Sequence, residues 1–307
     1  MDKSDQRIVY VNGEYVNAYE ATVSVFDRGF RWGDAVYEVE RTFAGKVYET
    51  EAHVIRLLNS LRYTGIEPNI SKQDFVNIVE KVSDLNAQAF GDDSDYEVVQ
   101  VVSRGEVLPD RTAVSFPTVV CYCEPLALSS WAHQYIEGVR LVVPSTRRTP
   151  PQSLSPKAKI SNKMNHFVAQ REASNIDPQA MALLLDDAGN ITEAPGGNFL
   201  FLSGDVLCVP NTNKVLGGIS MLSVIEVAQG LGIKVQEKEY TPFDVYHAQE
   251  AFVTSTPYMM LPVASLNGMP IGNGKPGPVG KQILAALSEK VGLDIVDQAL
   301  KSLPNSQ

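Results

Sequence analysis

Short runs of alternating apolar and polar residues mark the first part of the chain, a pattern typical of β-strands that bury one face. Residues 8–25 alternate in this way around Asn12-Gly13, a pair that favours the tight turn of a hairpin. A second hairpin is expected over 39–50, with its turn at Ala44-Gly45-Lys46. Two further strands are predicted by β-branched runs over 96–102 and 117–123.

Helical spacing of apolar residues occurs in three stretches of the chain. A helix is expected from about Glu51, because Val54, Leu57, Leu58 and Leu61 recur at that spacing. Two more helices are predicted over 72–85 and 164–174, and in the latter Met164, Phe167 and Val168 share one face. The acidic, glycine-containing stretch 88–95 is expected to be a surface loop.

Strands and helices alternate in the second half of the chain. The apolar run 180–185 is typical of a strand buried on both faces. The other expected elements are strands over 139–143 and 251–254, a hairpin of 198–202 with 206–209, and helices over 221–230 and from Gly280 onwards. The length of 307 residues allows two domains, and we expect the boundary near Leu128, with domains 1–127 and 128–307.

Composition limits the partners of the protein. The net charge of −10 and the pI near 5.0 argue against nucleic-acid and acidic-membrane partners. No apolar run reaches transmembrane length and the N-terminus is polar, so a cytoplasmic protein is expected. Cys121, Cys123 and Cys208 make neither a disulfide framework nor a zinc pattern, so no metal is expected. Cys121 and Cys123 are interpreted as buried thiols on one face of a strand.

Several residues could carry chemistry, although each has an ordinary structural explanation. Gly217-Gly218-Ile219-Ser220 precedes a helix, where free N–H groups and the helix dipole favour an anion, but a serine N-cap is the common alternative. Three lysines in one loop, Lys157, Lys159 and Lys163, would by themselves be solvated charges. Glu193 would by itself be an exposed residue at a strand end, and Arg56 a residue on a solvated helix face.

Three motifs together resemble the class IV pyridoxal-phosphate enzymes, a family of aminotransferases and one lyase. They are I-T-E-A-P-G-G-N-F over 191–199, L-G-G-I-S over 216–220 and T-S-T-P over 254–257. The resemblance implies fold type IV, like that of D-amino-acid aminotransferases, with a small N-terminal and a larger C-terminal domain and pyridoxal 5′-phosphate in the cleft between them. It also implies a homodimer, in which the loop at Pro109-Asp110-Arg111 is a candidate to close the partner's site.

The resemblance assigns the main roles in catalysis to two residues. The family's lysine precedes the glutamate of I-T-E by a nearly fixed interval, and here 193 − 159 = 34 selects Lys159 over Lys157 and Lys163. Lys159 would carry the cofactor aldehyde as an imine, a Schiff base, and would later move the proton at the substrate Cα. Glu193 would keep the pyridine nitrogen protonated.

The remaining cofactor and substrate residues also follow from the resemblance. The phosphate would be bound by Arg56, by Ile219 and Ser220 at a helix start, and by Thr256. The complete expected sets are Arg56, Lys159, Glu193, Gly197, Asn198, Gly218, Ile219, Ser220 and Thr256 for the cofactor, and Tyr37, Val39, Arg111 and Pro257 for the substrate.

The branch of the family is indicated by departures from its branched-chain pattern. Met164 stands where branched-chain enzymes usually have a tyrosine, and Val98 where our alignment has their strand arginine. Tyr37 and Arg111 match the carboxylate-binding residues of D-amino-acid aminotransferases, but Ala113 replaces a histidine of that set. We therefore expect transfer of an amino group from a D-amino acid or an (R)-amine to a 2-keto acid. A branched-chain L-amino-acid aminotransferase and an aminodeoxychorismate lyase are the alternatives.

Overall fold

The computed structural model describes residues 6–91, 94–106 and 116–304. Their contacts divide the chain into two compact units. The N-terminal unit contains the described residues up to Leu126 together with Ala158–Asn162, and the C-terminal unit contains Ala127–Lys157 and the residues from Lys163 onwards. The division predicted at residues 127 and 128 follows chain order, whereas contacts group Ala158–Asn162 with the N-terminal unit.

The N-terminal unit is a sheet with helices packed on one face. Its elements are β1 (Ile8–Val11), β2 (Glu14–Asn17), α1 (Arg28–Trp32), β3 (Ala35–Phe43), β4 (Lys46–Val47), α2 (Thr50–Thr64), α3 (Lys72–Phe90), β5 (Tyr96–Ser103) and β6 (Val119–Pro125). In the described residues the strand order is β2-β1-β6-β5-β3-β4, and every neighbouring pair is antiparallel.

Both predicted hairpins are confirmed, and backbone conformation explains their turns. Asn12 and Gly13 have φ values of 50° and 102°, and Ala44 and Gly45 have values of 48° and 75°. Two consecutive residues with positive φ twist the chain in the sense that the flanking strands require. Asparagine and glycine tolerate this conformation well, which is why the pair at 12–13 is a strong signal in the sequence.

The apolar faces of α2 and α3 form the core of the N-terminal unit with the sheet. The cluster includes Leu57, Leu61, Phe75, Val79 and Val98. Cys121 and Cys123 belong to the same cluster as free thiols, as predicted. One prediction was wrong here: α3 continues to Phe90, so the first residues of the expected loop 88–95 are helical.

The C-terminal unit contains a larger sheet with helices around it. Its elements are α4 (Gln134–Glu137), β7 (Val139–Val142), α5 (Met164–Ile176), β8 (Met181–Ala182), β9 (Glu193–Ala194), β10 (Gly197–Ser203), β11 (Val206–Pro210), α6 (Ile219–Gly230), β12 (Lys234–Lys238), α7 (Pro242–Tyr246), β13 (Glu250–Ser255), β14 (Met259–Leu266), β15 (Met269–Pro270), α8 (Pro278–Val291) and α9 (Ile295–Lys301). The strand order in the described residues is β12-β11-β10-β13-β14-β7-β8, with β9 paired to β10 and β15 to β14.

Met164 and Phe167 share a face of α5, as predicted, but this is not the packed face of the helix. The two side chains are 65% and 66% exposed, because α5 packs through the small side chains of Ala169 and Ala173. One expectation for this unit needs correction. The run 180–185 is buried as predicted except for the partly exposed Met181, but only Met181–Ala182 is a regular strand. Its other residues pair irregularly, as in the 3.0 Å bond from Thr192 N–H to the Leu184 carbonyl.

The mixture of helix and strand in both units confirms the predicted α/β (α+β) class. Within the described ranges, no helix combines the length and the apolar character needed to cross a membrane.

Candidate active site

Lys159 lies on a short segment that runs along the start of β3 in the N-terminal unit. Tyr37 N–H donates to the Lys159 carbonyl at 3.0 Å, and Val36 forms a bridge with Ile160. Lys159 N–H donates to Ser60 Oγ, also at 3.0 Å. The backbone of the lysine is therefore bonded on both sides, to β3 through its carbonyl and to α2 through its amide.

The side chain of Lys159 lies over an aromatic ring. Its Nζ is 4.7 Å from the ring centroid of Tyr37, a distance that suits a cation–π contact. Residues directly opposite each other in an antiparallel pair share a face, so Tyr37 lies beside Val101, and Val39 beside Val99. The structure thus brings the expected substrate residue Tyr37 together with Lys159, and Val39 lies in the same row of the sheet, which is apolar over these two opposed pairs and continues into the charged pair of Arg41 and Glu97.

The expected phosphate ligand Arg56 is bound to Glu38, a residue that the sequence analysis did not assign to the site. Arg56 Nε donates to Glu38 Oε1 at 2.8 Å and its Nη2 to Oε2 at 2.7 Å. Glu38 is completely buried, and His53 Nδ1 contacts its Oε2 at 2.9 Å. Glu38 thus accepts two of the five N–H donors of the guanidinium in a bidentate pair.

The charge states in this cluster follow from its contacts. Burial alone would raise the pKa of Glu38, but the charge and hydrogen bonds of Arg56 and the bond from His53 outweigh it and lower the pKa to about 2. Burial lowers the pKa of His53 even though Glu38 opposes it, so the imidazole is neutral. Since an ionised carboxylate only accepts, the His53 Nδ1–H donates a hydrogen bond to Glu38.

Glu193 in the C-terminal unit is also buried and ionised. Its Oε1 accepts from Arg148 Nε at 2.8 Å and lies 3.3 Å from His166 Nε2, and its Oε2 accepts from Leu216 N–H at 2.9 Å. Burial would raise the pKa of Glu193, but the His166 hydrogen bond and the charge of Arg148 lower it to about 2. The alternative for Glu193 taken alone, an exposed residue at a strand end, is therefore wrong, since the residue is only 5% exposed.

Asn198 holds the backbone that contacts Glu193. It lies directly opposite Glu193 in the β9–β10 pair, and its Nδ2 donates to the Leu216 carbonyl at 2.8 Å. A Cβ at Gly218 would overlap Asn198 Oδ1, and a Cβ at Gly197 would lie 2.9 Å from the Thr254 carbonyl. Both glycines are needed at these close approaches, which brings Glu193, Gly197, Asn198 and Gly218 together.

Helix α6 begins immediately after Gly218. Ile219 and Ser220 are its first two residues, and Gly218 is its N-cap without a side-chain capping bond. The alternative of a serine cap is therefore wrong, because Ser220 lies inside the first turn, where its Oγ is 3.7 Å from Met259 Sδ. An N-terminus capped by glycine leaves its first amides without a side-chain acceptor, which suits an anion.

Not every expected residue can be assigned to one of these clusters. Thr256 and Pro257 lie in the turn between β13 and β14, where the preceding Ser255 Oγ donates to the Gly196 carbonyl at 2.7 Å. Arg111 and the loop at Pro109-Asp110-Arg111 lie outside the described residues.

The sequence interpretation missed four residues that contact the expected ones: Glu38, Ser60, Arg148 and His166. A sequence signal existed only for Glu38. It is a carboxylate within a β-rich run, and His53 and Arg56, three residues apart on α2, are suitable partners for it.

Comparisons with known proteins agree on one family but name two different substrate classes. The sequence model of the family described as amino-transferase class IV matches residues 35–266. A protein of Methanocaldococcus jannaschii named "Putative branched-chain-amino-acid aminotransferase" is 30% identical over 296 residues, which cover 94% of this chain and 99% of that relative. A D-alanine aminotransferase of Bacillus licheniformis is 29% identical over 92% of this chain and 96% of its own length. The crystal structure of the Escherichia coli branched-chain amino acid aminotransferase matches with a TM-score of 0.85 at 25% identity, covering 94% of both chains.

Proposed function

Because the chain belongs to the class IV aminotransferases, which use pyridoxal 5′-phosphate, we propose that it moves an amino group from a D-amino acid or an (R)-amine to a 2-keto acid. The amine of Lys159 would hold the cofactor covalently. When bound, the cofactor supplies an electron sink for the substrate carbon that loses its proton. Lys159 would remove that proton and return it at the other end of the transfer.

The residues of each unit fit this cofactor. A protonated ring nitrogen needs an anionic acceptor, and Glu193 is kept ionised by Arg148 and His166. A phosphate dianion needs N–H donors, which the glycine-capped start of α6 at Ile219 and Ser220 provides. Arg56 would add a guanidinium, and Thr256 a hydroxyl. Gly197, Asn198 and Gly218 would hold the backbone around Glu193.

The row of the sheet beside Lys159 suits an apolar substituent on the donor and does not by itself choose between the two candidate donors. Tyr37, Val39, Val99 and Val101 share one face there, and none of them carries a charge. For a D-amino acid, Arg111 would have to supply the partner of the carboxylate, and Pro257 would complete the substrate residues.

A branched-chain L-amino-acid aminotransferase is the second candidate. The names of the Methanocaldococcus jannaschii relative and of the Escherichia coli structure favour it. The apolar row beside Lys159 would accept a branched aliphatic side chain equally well.

The homodimer closed by the loop at Pro109-Asp110-Arg111 and the cytoplasmic location stay predictions.

The visible absorbance of the purified protein tests both candidates. With pyridoxal phosphate bound, D-alanine, (R)-1-phenylethylamine and L-leucine are added in turn. Loss of the visible absorbance band of the Lys159 imine with either of the first two compounds supports the proposal. Loss with L-leucine alone would overturn it in favour of the second candidate. Lys159→Ala should abolish the band and the transfer, whereas the matched Lys157→Ala should keep both, because Lys157 contacts Asn213 on the surface.

A further inference from the structure

Helix α2 carries three polar side chains that lie one above another. His53, Arg56 and Ser60 are spaced by three and four residues, so they share one face of the helix. All three make hydrogen bonds within the N-terminal unit. The roles proposed above use only Arg56, which leaves the purpose of this polar face open.

Ser60 connects Arg56 to the lysine segment. The hydroxyl is buried, donates to the Arg56 carbonyl at 2.9 Å and accepts from Lys159 N–H at 3.0 Å. The helix that carries the arginine thus also holds the lysine backbone. Removal of the hydroxyl would leave the Lys159 amide without this acceptor.

Strand β3 holds the same two residues from the other side. Tyr37 N–H donates to the Lys159 carbonyl, and the next residue, Glu38, binds the Arg56 guanidinium at two atoms. Bidentate pairing fixes both the position and the plane of a guanidinium. Lys159 is therefore bonded to both α2 and β3, and Arg56, which belongs to α2, is bonded to β3. The contacts close a frame of five residues, Tyr37, Glu38, Arg56, Ser60 and Lys159.

We propose that Ser60 and Glu38 are positioning residues. Ser60 places Lys159, and Glu38 orients the guanidinium of Arg56. The two groups that would hold the cofactor therefore stay at a fixed distance from each other. This inference rests on the proposed roles of Lys159 and Arg56. A ligand held covalently at one end and by charge at the other binds tightly only where both groups are already in place. Misplacing either one weakens binding without removing a group that touches the cofactor.

Cofactor binding by full-length variants separates the two roles. Dissociation constants for pyridoxal phosphate and for pyridoxal, which lacks the phosphate, are measured from the absorbance of the bound cofactor. Ser60→Ala should weaken the binding of both compounds about five- to tenfold, because the lysine is misplaced for either one. Glu38→Asp keeps the charge but draws the carboxylate back from Arg56. It should therefore weaken the binding of pyridoxal phosphate about tenfold and that of pyridoxal little.

Ser83→Ala is the matched control. Ser83 is a buried serine of the same unit whose Oγ bonds Tyr96, away from Lys159 and Arg56. It should leave both dissociation constants unchanged while it lowers the melting temperature as much as Ser60→Ala does. Circular dichroism and thermal melts without cofactor show that each variant is folded, and Glu38→Gln replaces Glu38→Asp if the latter unfolds.

Three results would overturn the inference. The first is that Ser60→Ala matches Ser83→Ala in both dissociation constants. The second is that a folded Glu38 variant keeps the wild-type preference for the phosphorylated compound, and the third is that both variants weaken binding of the two compounds alike. A failure of the proposed function is recognised separately, because the wild-type protein would then bind the cofactor without transferring an amino group, or Lys159→Ala would still form the band.

Discussion

Each unit of the protein contains a buried glutamate that contacts one arginine and one histidine. Glu38 contacts Arg56 and His53, and Glu193 contacts Arg148 and His166. The pKa of both glutamates is lowered to about 2, because these contacts outweigh burial, which alone would raise it. The same set of residue types thus gives the same charge state in two different sheets.

The clusters around Glu38 and Glu193 differ in which group the hydrogen bonds fix in place. Both oxygens of Glu38 are bonded to side chains of a single helix, and Arg56 spans the two oxygens. Arg148 donates only its Nε to Glu193, whose other oxygen accepts a backbone N–H from Leu216. The geometry therefore makes Glu38 the support of an arginine, whereas Glu193 is itself the supported group.

Removal of Glu38 should have the largest effect on stability. Glu38→Ala leaves the Arg56 charge without its partner in the interior, and such losses destabilise by about 3–5 kcal/mol. Urea unfolding at pH 7 without cofactor measures the change. Glu51→Ala on the same helix removes an exposed pair with Lys72 and should change the unfolding curve little, so equal effects of the two variants would contradict the prediction.

Removal of the charge of Glu193 should instead act mainly on the reaction. Glu193→Gln keeps the size of the side chain but loses the anion that would face the ring nitrogen, and kcat should fall by about 100- to 1000-fold. Steady-state rates with the donor found by absorbance measure this. A Glu193→Gln enzyme with nearly wild-type kcat would mean that the carboxylate supports the fold alone, as Glu38 supports Arg56.

Local sequence pattern predicted most of the elements but few of these contacts. Asn12-Gly13 and the apolar spacing on α2 depend on neighbouring residues, so both were found. The contact of Glu38 with Arg56 joins a strand to a helix 18 residues later, and that of Arg148 with Glu193 joins residues 45 apart. The sequence contains a signal for Glu38 alone, and even there it does not specify which residues the carboxylate contacts.

The α5 helix shows a second limit of sequence patterns. Met164 and Phe167 are the larger apolar residues of the helix, yet Ala169 and Ala173 form its packed side. Close packing against a neighbouring strand favours small side chains, and which face is packed depends on that neighbour. Apolar size alone therefore indicates the wrong face when a helix packs closely.

Acid should destabilise both units through the two glutamates. Each has a folded pKa of about 2, below its usual value of 4.5, so it contributes stability that is complete above about pH 4.5 and is lost as pH falls toward 2. The shift corresponds to about 3 kcal/mol for each glutamate. Urea unfolding from pH 6 down to pH 3 measures the loss, which should be smaller in Glu38→Ala than in the wild type. If Glu38→Ala lost as much stability between pH 6 and pH 3 as the wild type, the acid sensitivity would come from groups other than Glu38.

Glu40 provides the opposite case, two residues after Glu38 on the same strand. Its Oε1 accepts from Gln100 Nε2 at 2.7 Å, and its Oε2 has no hydrogen-bond partner among the described residues. Burial and then the charge of Glu38 raise the pKa of Glu40 well above its usual value, so the folded protein keeps this carboxyl protonated where the unfolded chain ionises it. The contribution of Glu40 to the free energy of unfolding should therefore fall as pH rises above about 4.5, by at most about 1.4 kcal/mol per pH unit.

Glu40→Gln should remove this dependence on pH. The amide has nearly the size of the protonated carboxyl and does not ionise, so the variant should match the wild type near pH 5 and exceed it in stability at pH 8. Unfolding free energies at the two pH values give the difference directly. A wild-type stability that does not fall between pH 5 and pH 8 relative to Glu40→Gln would mean that Glu40 is ionised beside Glu38. The arginine and histidine would then neutralise two carboxylates, and the cluster around Glu38 would no longer parallel the one around Glu193.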